Sequence, residues 1–356
     1  MLKSVTIHNY RGIKNAEIKE LDRINIFIGR NGVGKSAILE AVYLIKAIIN
    51  NLTLVPERGE GRPASILGHL IQRRGSRGSS ALYTLWHKYE VDKNIIINLE
   101  WLSKRNSKII FKYKSPAIIL ADIYNDSEKI TDIEVTVSGS AHPRNINSKI
   151  LTEEDYIYLR DLCLIDDILT KALPQIEMKD FKLLKHTWKD EELRDILNKV
   201  YKTDYKSIEL MPDMEDEFRI TFLDSYIKMR VDYDDLPDGI KCGFAYIIRA
   251  MRVEGSALLI EEIENHQHPG SVEKLLEALF EIAVQKNVQL FFTTHSMEVF
   301  NDAVDLASKY PVKLFHVTQM QPGEVSVREL KKTDAQLLKS MEVDIVKLED
   351  AIDEMV

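Results

Sequence analysis

Residues Gly29 to Ser36 read G-R-N-G-V-G-K-S, between an apolar run, Ile24 to Ile28, and a longer mixed stretch, Ala37 to Ile49. Glycines at three of the first six positions let the backbone turn where a Cβ would clash. The amides of Gly29, Arg30, Asn31, Gly32, Val33, Gly34, Lys35, Ser36 and Ala37 can then converge on phosphate oxygens at a helix N-terminus. Lys35 has the length to reach β and γ phosphates, and Ser36 can place its hydroxyl on Mg²⁺, the ion that offsets phosphate charge. The flanks agree with this reading. Ile24, Ile26, Phe27 and Ile28 are β-formers, whereas Leu39, Val42, Ile45 and Ile49 recur at helical spacing.

The wider chain of 356 residues, 45% hydrophobic and 29% charged, has the composition of a soluble globular protein with room for two lobes. No run of 18 apolar residues occurs, and Met1-Leu2-Lys3-Ser4 passes straight into strand-like Val5-Thr6-Ile7. The expectation is a cytoplasmic protein with no membrane association. Cys163 and Cys242 lack metal-site spacing and are expected to be small buried residues. A formal charge of −8 argues against a surface that attracts nucleic acid everywhere, so any DNA contact requires a local basic patch. One candidate is the stretch 58–77, in which Arg58, Arg62, Arg73, Arg74 and Arg77 stand in a Gly- and Ser-rich loop; the bland alternative is a solvated loop.

Three divisions are expected: an N-terminal lobe over 1–150, a helical insert over 151–215 and a C-terminal lobe over 216–356. In the first, Val5 to Arg11 and two segments within Ala16 to Ile28 suggest a small antiparallel sheet feeding the phosphate loop. Arg11 follows that first strand and is a candidate phosphate contact, with a solvated turn arginine as the alternative. Ile95 to Trp101, Ile109 to Tyr113 and Ile133 to Val137 predict an antiparallel β subdomain, and Leu151 to Tyr205 turns helical, starting at Thr152-Glu153-Glu154-Asp155. Phe218 to Phe222 and Tyr226 to Val231 then form a hairpin signal, which makes Asp232-Tyr233-Asp234 its end rather than a nuclease-like acid pair. Ser256 to Ile260, Val288 to Thr294, Val312 to Val317 and Glu324 to Arg328 are strand candidates separated by helical stretches. Such alternation implies an α/β fold with a mostly parallel sheet flanked by helices.

Chemistry collects at three strand ends: the phosphate loop, Glu261-Glu262-Ile263-Glu264, and Thr294-His295. In a doubly wound sheet these ends line one crevice. Glu261 is then the candidate magnesium residue, Glu262 the group that orients an attacking water, and His295 a contact to the γ phosphate or that water. Adjacent side chains on a strand point oppositely, so Glu261 and Glu262 share a site only if the strand ends there and the chain turns.

Together, V-T-I-H-N-Y-R-G-I, G-R-N-G-V-G-K-S, L-L-I-E-E-I-E-N-H-Q-H-P and F-F-T-T-H-S resemble the ABC-type ATPase heads of the OLD (overcoming lysogenization defect) and RecF/SMC group, in the order that group shows. The resemblance implies a P-loop NTPase fold of ABC type, ATP and Mg²⁺ as ligands, Lys35 and Ser36 as Walker A, Glu261 as Walker B, Glu262 as catalytic carboxylate and His295 as switch histidine. It also implies a homodimer formed on ATP binding, in which Asp235 to Lys241 closes over the partner's nucleotide through Asp238 and Gly239. Two departures stand out: Glu261 where Asp is usual, and Pro237-Asp238-Gly239 where transporter-like members carry Ser-Gly-Gly. Trans activation is therefore expected to be weak and to rely on backbone N–H groups such as that of Gly239. Gln72 is the sole glutamine before Gln175 and a poor match to the group's Gln loop. His266 and His268 belong to the group's loop and lack zinc spacing. OLD nucleases carry a Toprim domain after the ATPase, and the 356 − 295 = 61 residues past His295 are too few for one. A separate nuclease or effector protein is one candidate partner, and the resemblance places the chain in DNA repair or phage and plasmid defence. The competing expectation is an ATP-switched DNA-binding or nuclease-partner module with negligible turnover.

Overall fold

The computed structural model of the protein describes residues 1–49, 55–56, 63–64, 66–73, 79–137, 152–166, 181–187, 189–212, 218–341 and 352. β1 (Leu2–Tyr10) turns Leu2, Val5, Ile7 and Tyr10 inward, its alternation broken by a register shift after Leu2 and a positive φ at Asn9, and pairs antiparallel with β2 (Ile13–Ile18). In β3 (Ile24–Ile28) all five residues are buried, the signature of a strand covered on both faces. Its Phe27 joins one hydrophobic cluster, while Ile24, Ile26 and Ile28 join the other. The sheet thus separates two cores.

Helix α1 (Lys35–Ile49) follows the phosphate loop, then a two-strand pair of β4 (Val55–Pro56) and β5 (Pro63–Ala64), and helix α2 (Ile66–Gln72). The hairpin series β6 (Ile95–Trp101), β7 (Asn106–Ser115), β8 (Ile118–Asn125) and β9 (Glu128–Thr136) comes next. After α3 (Glu153–Asp161) come the short β10 (Cys163–Ile165), a helical segment α4 (181–186) and α5 (Asp190–Tyr201). A separate antiparallel sheet of β11 (Tyr205–Pro212), β12 (Phe218–Asp224) and β13 (Met229–Asp232) precedes α6 (Asp238–Arg252). The remainder alternates: β14 (Ala257–Ile260), α7 (Pro269–Gln285), β15 (Gln289–Thr294), α8 (Met297–Leu306), β16 (Val312–Gln321), β17 (Glu324–Leu330) and α9 (Lys332–Ser340).

Among the described residues the main sheet has 12 strands, in the order β10-β14-β15-β3-β16-β17-β2-β1-β6-β7-β8-β9. From β10 to β16 every pairing is parallel, and from β2 to β9 every pairing is antiparallel. The expected mostly parallel sheet is therefore corrected to a mixed one. The strands over 95–136 do not stand apart as a subdomain, because β1 pairs with β6 and carries the sheet onward. Local hairpin turns set the β1–β2 and β6–β9 pairings of the antiparallel half, whereas the parallel half needs helical crossovers. Within the stretch read as helical, Cys163–Ile165 becomes an edge strand parallel to β14, too short to show a period. The predicted helix start there is present: the Thr152 hydroxyl accepts from the Asp155 N–H. Asp232 ends β13 and Tyr233 opens a 3₁₀ turn, the hairpin-end reading. Both cysteines are free and buried. Among the described residues no helix is long and apolar enough to cross a membrane.

Where α8 meets its neighbours, burial pushes the Asp302 carboxyl up to about 6, helped by Glu273 and Glu298 and opposed by Lys339. Its protonated form is favoured by folding, so the contribution is complete below the ordinary value of 3.8 and is lost as pH rises through about 6. Asp302→Asn is expected to raise the stability at pH 8 by about 1 kcal/mol, a value discounted for its half-exposed position, with no gain near pH 4. Denaturant melts at the two pH values check this; an equal gain at both would contradict it.

Candidate functional site

Parallel register brings the three chemical stretches to one end of the sheet. Thr294 of β15 pairs with Ile28 of β3, and Ile260 of β14 pairs with Phe292. Neighbouring strands lie about 4.8 Å apart, so the chain ends after β14, β15 and β3 are within roughly 10 Å of one another. His316 of β16 flanks β3 from the other side.

The loop after β3 owes its shape to two glycines. A Cβ at Gly29 would run into the carbonyl oxygen of Val317, and Gly34 sits at φ +110, a conformation L side chains rarely adopt. Helix α1 then starts at Lys35 with no acid in its first turn, so its N-terminal amides face no competing carboxylate there. Lys35 is buried and donates through Nζ to the carbonyls of Gly29 at 2.6 Å and Arg30 at 2.9 Å. Arg30, Asn31 and Gly32 form an exposed rim, Val33 and Ser36 are half-buried and Ala37 is buried. Burial lowers the Lys35 pKa, while the carboxylates of Glu262, Glu264 and Glu261 oppose that shift across the crevice.

Those carboxylates are presented by a turn that the amino-acid types do not announce. β14 stops at Ile260, and Glu262 adopts φ +49, a left-handed conformation costing a non-glycine residue about 1 kcal/mol. The turn is held by Glu262 N–H donating to Thr293 Oγ1 at 3.0 Å and Asn265 N–H donating to the Glu262 carbonyl at 2.8 Å. Strand alternation ceases, and both acids remain at the sheet end. Asn265 Nδ2 donates to Glu262 Oε2 at 2.9 Å, which orients the carboxylate.

His295 Nδ1 lies 3.7 Å from Glu262 Oε1 and 3.2 Å from Glu264 Oε1. The same Glu264 oxygen accepts from the Thr294 hydroxyl and the His295 N–H, both at 2.9 Å. Glu264 is therefore the group that fixes the strand end carrying His295. Its signal was the third acid of E-E-I-E, two residues past Glu262.

A buried ionic cluster lies behind Glu261. The Arg73 guanidinium pairs through Nη2 with Glu261 Oε2, through Nη1 with Asp166 Oδ2 and through Nε with Glu40 Oε1 at 3.2 Å. His69 Nε2 shares the Asp166 oxygen at 3.0 Å, and Arg11 Nε sits 2.6 Å from Glu40 Oε2. Burial pulls the Arg73 pKa down, but Glu40, Asp166 and Glu261 together outweigh it and raise it above the ordinary arginine value. Removing one member of such a cluster costs about 3–5 kcal/mol by leaving buried charge unpaired. The hint in the sequence was Glu40, a lone acid on the apolar face of α1.

Two arginines of the sequence reading are turned inward. Arg11, read as a phosphate contact or a solvated turn, is 7% exposed, with Nε directed at Glu40 and the Tyr10 hydroxyl and Nη2 at the Leu70 carbonyl. In the basic stretch 58–77, residues 66–72 are helical and Arg73 turns inward to the carboxylates rather than to solvent or DNA. Arg58, Arg62, Arg74 and Arg77 lie outside the described residues. Gln72 is exposed at the end of α2.

Asp238 and Gly239 open α6. Asp238 is exposed, and Gly239 accepts through its carbonyl from Gln267 Nε2 at 3.0 Å, while Tyr201 donates to Gln267 Oε1 at 2.8 Å. They rest against the His266-Gln267 turn of their own chain. His268 caps α7, its Nδ1 accepting from Gly270 N–H. Among the described residues no group of three or more His, Cys, Asp or Glu is placed to hold a metal by itself, so a magnesium site here would draw on Ser36, Glu261 and phosphate oxygens.

A family model described as "AAA domain, putative AbiEii toxin, Type IV TA system" matches residues 24–301. An ATP/GTP phosphatase of Helicobacter pylori is 23% identical over 333 residues, covering 84% of this chain and 86% of its own. The DNA replication and repair protein RecF of Phocaeicola vulgatus is 26% identical over 200 residues, which is 53% of this chain and 49% of that protein. Among solved structures, an Smc head domain with an extended coiled coil, bound to the C-terminal domain of ScpA derived from Pyrococcus furiosus, superimposes with a TM-score of 0.52 at 12% identity over 96% of this chain and 99% of that one. That likeness shows an SMC-head-like α/β fold with a large mixed sheet.

Proposed function

The chain belongs to the AAA-domain family whose description names AbiEii toxin and a type IV toxin–antitoxin system, and on that premise we propose that it is a RecF/SMC-like ATPase of OLD type that closes head to tail on ATP and reopens on hydrolysis. The observation that carries this reading is the meeting of Lys35, Glu261, Glu262 and His295 at the carboxyl ends of β3, β14 and β15.

Within that crevice Lys35 and the amides of residues 29–37 bind and orient the triphosphate, the amides supplying fixed dipoles that need no reorganisation as charge moves. Ser36 and Glu261 are hard oxygen donors suited to magnesium, which when bound would neutralise the β and γ phosphate charge. Glu262, turned into the crevice by its left-handed backbone, orients the attacking water and receives its proton. His295 contacts the γ phosphate, and Glu264 keeps it in place through the Thr294 and His295 bonds. Asp238 and Gly239 serve the partner's nucleotide in the closed homodimer, which accords with their position against the His266-Gln267 turn rather than within the phosphate loop. The output is DNA repair or defence against phage and plasmids, exercised on DNA or through a separate nuclease or effector.

Light scattering of the wild-type chain with and without MgATP, run beside steady-state hydrolysis, tests this. Dimer on ATP and monomer after turnover are expected. A chain that stays monomeric while hydrolysing contradicts the closure, and a chain that binds ATP and dimerises without measurable turnover supports a regulatory switch instead.

A further inference from the structure

Glu261 is one methylene longer than the aspartate common at its position, and Arg73 is what that extra length meets. An aspartate anchored at the same backbone would end about 1.5 Å short of the guanidinium. The carboxylate assigned to magnesium is thus already paired with a buried cation through Oε2. A divalent ion and a guanidinium on one carboxylate lie within about 5 Å of each other and repel, in a region where water screens little.

Arg73 is also the end of a helix held by charges. Its N–H donates to the His69 carbonyl at 3.1 Å, His69 shares Asp166 Oδ2 with it, and Arg11, paired like Arg73 with Glu40, reaches the Leu70 carbonyl. The C-terminal end of α2 is therefore tied to the cluster at three points, His69, Leu70 and Arg73. Loss of the Glu261 contact leaves Arg73 on Glu40 and Asp166 alone, close enough to stay buried but with one anchor fewer.

Resting on the MgATP reading above, we propose that Arg73 and the divalent cation compete for the Glu261 carboxylate, so that metal binding loosens the C-terminal turn of α2 and makes that helix a sensor of the loaded site. Arg73 acts as a positioning residue, through Glu261. The device gives the chain a way to couple occupancy of the crevice to the segment between Walker A and the β6–β9 hairpins.

Hydrogen exchange of residues 66–73 in the wild-type chain, compared between ATPγS with EDTA and ATPγS with Mg²⁺, reads the coupling directly. Exchange there is expected to rise at least about fivefold with the metal. Mn²⁺ titration followed by electron paramagnetic resonance on ATPγS-loaded protein gives the second arm. Arg73→Lys keeps the charge but cannot span three carboxylates, and it should tighten Mn²⁺ roughly tenfold while abolishing the metal-dependent exchange. Glu261→Asp, which shortens the acid without removing charge from the cluster, should likewise abolish that exchange and guards against misfolding of the Arg73 variant. Unchanged or weakened Mn²⁺ binding in a folded Arg73→Lys protein, or exchange in the wild type that ignores the metal while nucleotide is bound, overturns the competition and leaves the ATPase reading intact. A wild-type chain that binds no ATPγS at all overturns both.

Discussion

Steady-state ATP hydrolysis by Glu262→Gln is expected to fall by ~10² to 10³ relative to wild type, the usual loss when one well-placed transition-state group is removed. The amide is isosteric, and its oxygen can still accept from Asn265 Nδ2, so the turn at φ +49 is retained. What disappears is the negative charge facing His295 at 3.7 Å and the capacity to take a proton from water. MgATP affinity should stay within about twofold, because no phosphate contact is assigned to this side chain, and the ATP-bound dimer should accumulate because its exit by hydrolysis is blocked. Wild-type-like turnover in Glu262→Gln would reject the assigned role and turn attention to His295 as the proton acceptor.

Lys35→Ala should weaken ATP binding by ~10²-fold, since two charge-assisted contacts to phosphate are worth about 3 kcal/mol together. The nucleotide-free chain loses something as well: the ammonium that ties the carbonyls of Gly29 and Arg30 disappears from a buried position. The clean readout is thermal. Ligand in hundredfold excess over its dissociation constant adds about 2.7 kcal/mol to the stability of wild type, and at the same ATP concentration the variant should gain under about 0.5 kcal/mol. An equal ATP-induced rise of the melting temperature in both proteins would show that the triphosphate binds away from the loop.

Much of this site was legible because its grammar is local. Glycine spacing before Lys35 is demanded by backbone amides that must approach a ligand, and the strand and helix on either side follow from β-branched residues and helical periodicity over short windows. The meeting of Glu261 and His295 with the loop was legible too, since parallel strands alternating with helices align their carboxyl ends. Other features depend on partners remote in the chain. Arg73 lies 188 residues from Glu261, and nothing in its own neighbours distinguishes a buried three-way ion pair from a solvated loop arginine. Arg11 misled for the same reason. The turn at Glu262 was hidden because a left-handed glutamate leaves no mark in residue type, unlike Gly34. The mixed sheet escaped because the β17–β2 pairing that joins its halves, Glu324 with Asn15, is non-local, whereas hairpins declare themselves through their turns.

Catalysis in this site requires a triphosphate lying between Lys35 and the Glu262–His295 pair. A crystal structure of Glu262→Gln soaked with MgATP measures that arrangement directly. The γ phosphate should contact Lys35 Nζ and His295 of one chain, with a water between it and residue 262. A nucleotide found elsewhere, or bound in the loop while residue 262 and His295 face away from its γ phosphate, would contradict the account.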